Sequence, residues 1–303
     1  MNPTIFITLS RTPAERAYAR VLINSLRAFG GELGQCAIWV FDANPQAAQE
    51  DPLTGAGIDV FPLKTPASVC PSPGKCYFFA EKVFACTEAE RMAPPDVQNL
   101  VWMAPEFLVV KPPVLLDLGT TFDVAVRPVH VKNVGVLAAE PLDDFWRRVC
   151  EQVGVNDIPM TTETFVGAQQ LHAYFNSHVL SVNPSRGLCA QWFKHFEALV
   201  GDEAYQHGAC KDVLHKIFLH QAVLSVLLAT EVTPQRLRIL PPDYSYPYNL
   251  HAKVPPERRA QALNDLVCLT YEERVLDPDE VDDIAIQEPL RAWLAARDLP
   301  RPT

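Results

Sequence analysis

The alternation at the start of the chain constrains the fold most. Residues 4–9 form a β-branched, apolar run of strand length, closed by the turn-like Ser10-Arg11-Thr12-Pro13. Pro13 suits a first helical turn, where its missing N–H loses no partner, and acidic Glu15 suits the same end. Tyr18, Val21, Leu22, Ser25, Leu26 and Phe29 then recur at three- and four-residue spacing, so this helix has one buried face. Gly30-Gly31 stops it. Residues 37–41 and 58–63 supply a second and a third strand. Strand, helix, strand, loop, strand is the opening of an α/β sheet and excludes all-α and all-β folds.

The pattern continues. After a proline-rich connection at 66–74, residues 75–92 read as a helix with Phe79, Val83 and Cys86 on one face. Residues 100–103 and 107–110 are strand pieces interrupted at Ala104-Pro105-Glu106, because proline cannot donate to a sheet ladder. Further strands are expected at 122–127 and 179–182, and helices at 142–153, 190–199 and 212–229. Trp102, Trp146, Trp192 and Tyr174 fall in apolar settings and are expected in the core. A last helix at 289–297 runs into a proline-rich, frayed tail ending at 303. No repeat or long linker divides the chain, and its 27 prolines fall mostly between elements. The expectation is a single α/β domain over 1–303, with a mixed, mostly parallel sheet and helices on both faces.

Composition narrows the partners. A formal net charge of -10 argues against a nucleic-acid or anionic-membrane binder, either of which wants a basic face. No run approaches the ~18–20 consecutive apolar residues that span a bilayer. Residues 1–11 lack the basic and apolar regions of a secretory signal, so the expected compartment is the cytoplasm. The eight cysteines (Cys36, Cys70, Cys76, Cys86, Cys150, Cys189, Cys210 and Cys268) include no Cys-x-x-Cys pair, and reduced thiols are expected.

Four ordered segments carry a resemblance. They are the strand at 5–9, the stretch 100–109 around Ala104-Pro105-Glu106, the stretch Tyr174-Phe175-Asn176-Ser177-His178-Val179-Leu180, and Phe218-Leu219-His220-Gln221. A late Leu240-Pro241 followed by Tyr248-Asn249 completes the set. Together they resemble the nucleotide-sugar transferases of the GT-A fold, especially family 8 glycosyltransferases and related bacterial proteins, over roughly residues 4–275. The family has a strand running into Asp-x-Asp, a Tyr-Phe-Asn-Ala-Gly-Val-Leu segment and a helix-opening Asp-Gln. The resemblance implies a nucleotide-sugar donor and an acceptor. The donor site is expected at the carboxyl ends of the first strand and the Trp102 strand, with Thr8 and Leu9 beside the nucleobase.

The family's chemistry is altered at four places. Its two metal-binding aspartates fall on Ala104 and Glu106, and its late histidine falls near Thr270, so a divalent cation (manganese or magnesium) is not expected by the usual motif. His178 replaces the motif's small glycine, and His220 replaces the aspartate before Gln221. Arg11 and Lys82, with Lys75 a weaker candidate, are the cations available to a diphosphate. Asn176 and Gln221 are the catalytic candidates, as groups that orient hydroxyls, while His130, His178, His220 and Asn249 are candidates for substrate contacts. Each also has a structural reading. The lysines can be solvated, Glu106 can be a surface carboxylate, Asn176 can bond its own turn, and Gln221 or Asn249 can pair with backbone. Three functions therefore stand open: a metal-independent transferase, a nucleotide-, sugar- or protein-binding module without chemistry, or a shared architecture that says nothing of function.

Overall fold

The computed structural model describes residues 3–72, 74–272 and 274–301. Its strands are β1 (Thr4–Ser10), β2 (Ala37–Asp42), β3 (Ile58–Pro62), β4 (Asn99–Met103), β5 (Phe107–Val109), β6 (Val124–Pro128), β7 (Thr161–Glu163), β8 (Gln170–His172), β9 (Phe175–Val182), β10 (Leu237–Ile239), β11 (Tyr246–Pro247) and β12 (Cys268–Thr270). The α-helices are α1 (Pro13–Phe29), α2 (Pro45–Glu50), α3 (Ala80–Met92), α4 (Asp144–Val153), α5 (Leu188–Val200), α6 (Glu203–His207), α7 (Val213–Glu231) and α8 (Leu290–Ala295).

The main sheet runs β10-β6-β9-β4-β1-β2-β3. β9 is antiparallel to β4 and β6, and the remaining neighbours are parallel. The carboxyl ends of β1, β4 and β6 therefore open on one edge, beside the amino end of β9. β1 is buried along its whole length, which explains its unbroken apolar sequence. Its side chains alternate between two cores. Ile5, Ile7 and Leu9 face the layer of α3, α4, α5 and α7, whereas Phe6 lies with Leu22 and Leu26 of α1. This is the mixed, mostly parallel α/β architecture expected from the sequence, with helices on both faces.

Two contacts fix α1 on the sheet. Thr12 accepts a hydrogen bond from the Glu15 N–H at 3.1 Å and so caps the helix. One turn on, the fully buried Arg16 is paired with buried Asp42 at the end of β2. A smaller sheet, β11-β12-β5, lies beside the main one, and α8 packs Leu290 and Leu294 into the same region, with Trp293 edge-on to Phe29.

Helix α7 is long and apolar enough by composition to cross a bilayer, although polar residues interrupt its run. Here residues 219–228 are buried within the fold, which accounts for its apolar character. The helix expected at 75–92 begins only at Ala80, because Phe79 takes a left-handed backbone conformation with φ 60°. Cys70 and Cys76 form a disulfide, a departure from the all-reduced expectation. The proline-rich loop folds back on itself, with the Tyr77 N–H bonded to the Val69 carbonyl at 2.7 Å, and so brings these two cysteines together. Residues 302–303 of the expected tail lie outside the described residues.

Removing one partner of the Arg16–Asp42 pair leaves the other as an uncompensated buried charge. Asp42→Ala should lower the unfolding free energy by about 3–5 kcal/mol in chemical denaturation. A loss below about 1 kcal/mol would show that the pair behaves as an exposed one.

Candidate functional site

A cavity of about 480 Å³ opens at the edge where β1, β4 and β6 end, the place at which open α/β sheets take ligands. Leu9 and Arg11 line it from β1 and its loop, Glu15 from α1, and Phe79 and Lys82 from the start of α3. Trp102, Ala104, Pro105 and Glu106 come from β4 and its turn, and Val129, His130, Val131 and Asn133 from the segment after β6. Asn176 and His178 come from β9, Ile217, Phe218 and Gln221 from α7, and Asn249, Leu250 and Glu272 from the late loops.

The fold thus brings Leu9, Arg11, Lys82, Ala104, Glu106, His130, Asn176, His178, Gln221 and Asn249 around one space. Three candidates lie off its wall. Thr8 neighbours Leu9 on a strand, so alternation sends it to the opposite face, beside Phe6, Leu22 and Met103. His220 is one residue from Gln221 on a helix and is rotated away from the cavity, 1% exposed, with its ring stacked on Phe79 at 4.3 Å. Lys75 is exposed and also lies off the wall.

Arg11 is already engaged. Glu15 accepts the Arg11 backbone N–H at 2.9 Å and grips the guanidinium through Nε at 2.9 Å and through Nη2, while Glu81 stands 3.6 Å away. Burial works against the Arg11 charge, but these carboxylates outweigh it and raise its pKa. The residue that completes the helix cap therefore also holds the cation that the sequence offered to a phosphate.

Lys82 is 4% exposed. Its Nζ donates to Ser177 Oγ at 2.6 Å and stands 4.6 Å from the centre of the Phe79 ring. Burial lowers its pKa to about 7, opposed by Cys86 and Glu106 and assisted by Arg11. The unusual backbone of Phe79, worth about 1–3 kcal/mol of strain for a bulky residue, sets its ring between Lys82 and His220. Glu106 is pushed up by burial, against the pull of Arg11 and Lys82. Burial also lowers His178 to about 3 and drives His130 well below the usual imidazole value, so both are neutral near pH 7.

Several polar atoms on or behind this wall have no protein partner. They include both ring nitrogens of His130, His178 Nδ1, Gln221 Oε1 and Asn249 Oδ1. His178 Nε2 stands 3.2 Å from Glu272, and Asn249 Nδ2 donates to the same carboxylate. Asn176 does what a turn asparagine does, accepting the His178 N–H at 2.7 Å, while also lining the cavity. In a second cavity of about 400 Å³, three of the polar residues in the lining have protein partners: His251 is bonded to Tyr246, Arg259 to the Ala252 and Val254 carbonyls, and Asp283 to Tyr248 and Arg274.

The residues present do not fit the divalent cation of the resembled family. Ala104 offers only a methyl group, and Thr270 sits in β12 opposite Phe107, off the cavity wall. Among the described residues no group of three or more His, Cys, Asp and Glu side chains is placed to hold a metal.

Sequence reasoning missed Glu15, Phe79, Asn133, Phe218 and Glu272 as wall residues. Glu15 and Phe79 carried signals of their own, a helix start and an apolar face, but neither pointed to a site. Asn133 and Glu272 lie in loops with no periodic signal.

Fold and site together define an α/β protein with a mixed-polarity cavity at the carboxyl edge of its parallel strands. No family model and no curated protein matches the sequence. Among solved structures, the chain is similar to mouse xyloside xylosyltransferase 1 in its apo form, at 13% identity over 89% of this chain and 97% of that one, with a TM-score of 0.48. It is also similar to the galactosyltransferase LgtC in complex with donor and acceptor sugar analogues, at 14% identity over 88% of this chain and 86% of that one, with a TM-score of 0.47.

The Lys82 shift predicts a pH dependence. Cys86, Glu106, Arg11, His178 and His220 are the titratable groups that sense this amine. Between about pH 7 and the ordinary value of 10.5, the unfolded chain binds a proton that the folded chain does not. Folding stability supplied by this residue therefore rises with pH, by at most about 1.4 kcal/mol per unit. The unfolding free energy of the wild type relative to Lys82→Met should increase from pH 7 to pH 9. A flat difference would contradict the depressed value.

Proposed function

We propose that this protein is glycosyltransferase-like and binds a nucleotide-sugar donor in the 480 Å³ cavity, gripping the sugar without a divalent cation. The observation that carries this reading is that four residues lining one cavity keep buried polar atoms without a protein partner: Gln221 Oε1, Asn249 Oδ1, His178 Nδ1 and the His130 nitrogens. A buried polar atom without a partner costs about 1–3 kcal/mol, and a ligand carrying several hydroxyls relieves that cost at each contact. Neutral imidazoles and amide oxygens suit hydroxyls, which both donate and accept. In this reading Asn176 and Gln221 orient the sugar, and Ala104 and Glu106 border it.

The diphosphate is the weaker half of the fit. Arg11 is held by Glu15 and Glu81, and the Lys82 amine, its pKa lowered by burial, has to take up a proton before it can serve a phosphate as a cation. Binding of a charged donor then requires Arg11 to exchange a carboxylate for a phosphate oxygen. The methyl of Ala104 and the placement of Thr270 favour a second reading, sugar or sugar-nucleotide binding without transfer.

A thermal-shift panel with uridine, guanosine and cytidine diphosphates and their sugars, each with and without manganese, separates these. One sugar nucleotide should raise the melting temperature more than its bare diphosphate, and manganese should not change the shift. A shift that requires manganese, or equal shifts with and without the sugar, would reject the proposal. Turnover of the bound donor distinguishes the transferase from the binding module. Gln221→Ala should weaken binding of the responding ligand in calorimetry by roughly 5- to 150-fold, the equivalent of about 1–3 kcal/mol.

A further inference from the structure

Ser177 decides what Lys82 can do. His220 Nδ1 lies 2.9 Å from the Ile217 carbonyl oxygen, which only accepts, so the ring proton sits on Nδ1. His220 Nε2 is then an acceptor, and at 3.0 Å it takes the single hydroxyl proton of Ser177. Ser177 Oγ must therefore accept from Lys82 at 2.6 Å. A neutral lysine amine has two N–H groups and one lone pair. Its near partners are Ser177 Oγ and, at 3.4 Å, the Ser177 carbonyl oxygen, and both accept. The lone pair is left uncommitted, on a side chain that lines the cavity. Among the described residues Lys82 forms no ion pair that would keep it charged, and the Phe79 ring shields one side.

We propose that Lys82 is an amine nucleophile that captures the carbonyl carbon of an open-chain polyhydroxy aldehyde in this cavity as an imine. The proposal rests on the sugar-binding reading above for the hydroxyl contacts, which fall to Gln221, His130 and Asn249. The Lys82 lone pair bonds to the carbonyl carbon, and the π pair moves to oxygen. A proton passes from nitrogen to oxygen to give a carbinolamine. The carbinolamine hydroxyl takes a proton from solvent and leaves as water, while Glu106 lies on the same wall. Aldehyde, amine and a solvent proton thus yield a protonated imine and water, with no oxidant or reductant involved. Amines desolvated in this way are established nucleophiles toward carbonyls. His220 is a positioning residue in this scheme, since it fixes the direction of the Ser177 hydroxyl.

The test is reductive trapping of the intact protein with cyanoborohydride at pH 7.5, using glyceraldehyde as the probe and propanal as a control without hydroxyls, read by peptide mass spectrometry. Lys82 should be modified at least tenfold faster than the exposed Lys194 and Lys253, and faster by glyceraldehyde than by propanal. His220→Ala, which frees the Ser177 hydroxyl to donate to the amine, should slow trapping at Lys82 while leaving Lys194 and Lys253 unchanged. Modification of Lys82 no faster than of the exposed lysines, or equal trapping by both aldehydes, would overturn the proposal. Sugar nucleotides have no free aldehyde, so their thermal shifts judge the sugar-binding reading separately.

Discussion

The candidate site depends on one residue behind its wall. Ser177 accepts the Trp102 indole N–H on its carbonyl at 3.0 Å and the Lys82 amine on its hydroxyl, and it directs that hydroxyl at His220. These bonds join β9 to β4, α3 and α7, and Trp192 extends the set to α5 by donating to the His220 carbonyl at 2.7 Å. Four elements that frame the cavity are thereby held in fixed relation. Buried polar networks of this kind are stabilising only when every member is satisfied. Here the accounting closes for Ser177 and His220 and leaves one lone pair over, that of Lys82.

Charge shapes the cavity as much as hydrogen bonding does. Glu15, Glu106 and Glu272 line it, and Arg11 is spent on Glu15 and Glu81. Burial favours the neutral forms of Lys82, Glu106, His130 and His178 alike. The result is a wall in which neutral imidazoles and amides stand beside carboxylates and a paired arginine, suited to hydroxyls more than to bare phosphate. Two of the changed positions, His178 and His220, belong to this environment. Ser177, where the resembled motif has alanine, bonds directly to His220, so these two departures act together.

Much of the fold was legible in the sequence. The β-branched run at 4–9, Pro13 with its amphipathic continuation and the Gly30-Gly31 stop gave the first strand and helix almost to the residue, because local propensity and tertiary burial agree there. The start of α3 was missed by five residues, since nothing local announces a left-handed phenylalanine that tertiary stacking holds in place. The short strands β7, β8, β10 and β11 escaped notice, being too brief for periodicity. For the site, motif spacing named ten residues that the fold brings around one cavity. It erred at Thr8, where strand alternation decides, and it did not foresee that the Glu15 of the helix cap would neutralise Arg11. Roles that depend on a partner distant in sequence, such as Lys82 on Ser177, cannot be read from spacing.

The central physical claim is that burial keeps Lys82 as an uncharged amine in the cavity wall, with the Ser177 network accepting its N–H groups. The most direct measurement is an NMR titration of the Lys82 side chain, following its Cε and Nζ resonances in labelled protein and assigned with Lys82→Arg. The account predicts a titration midpoint near 7. A midpoint close to the ordinary lysine value of 10.5 would contradict it and return Lys82 to the role of a permanent cation.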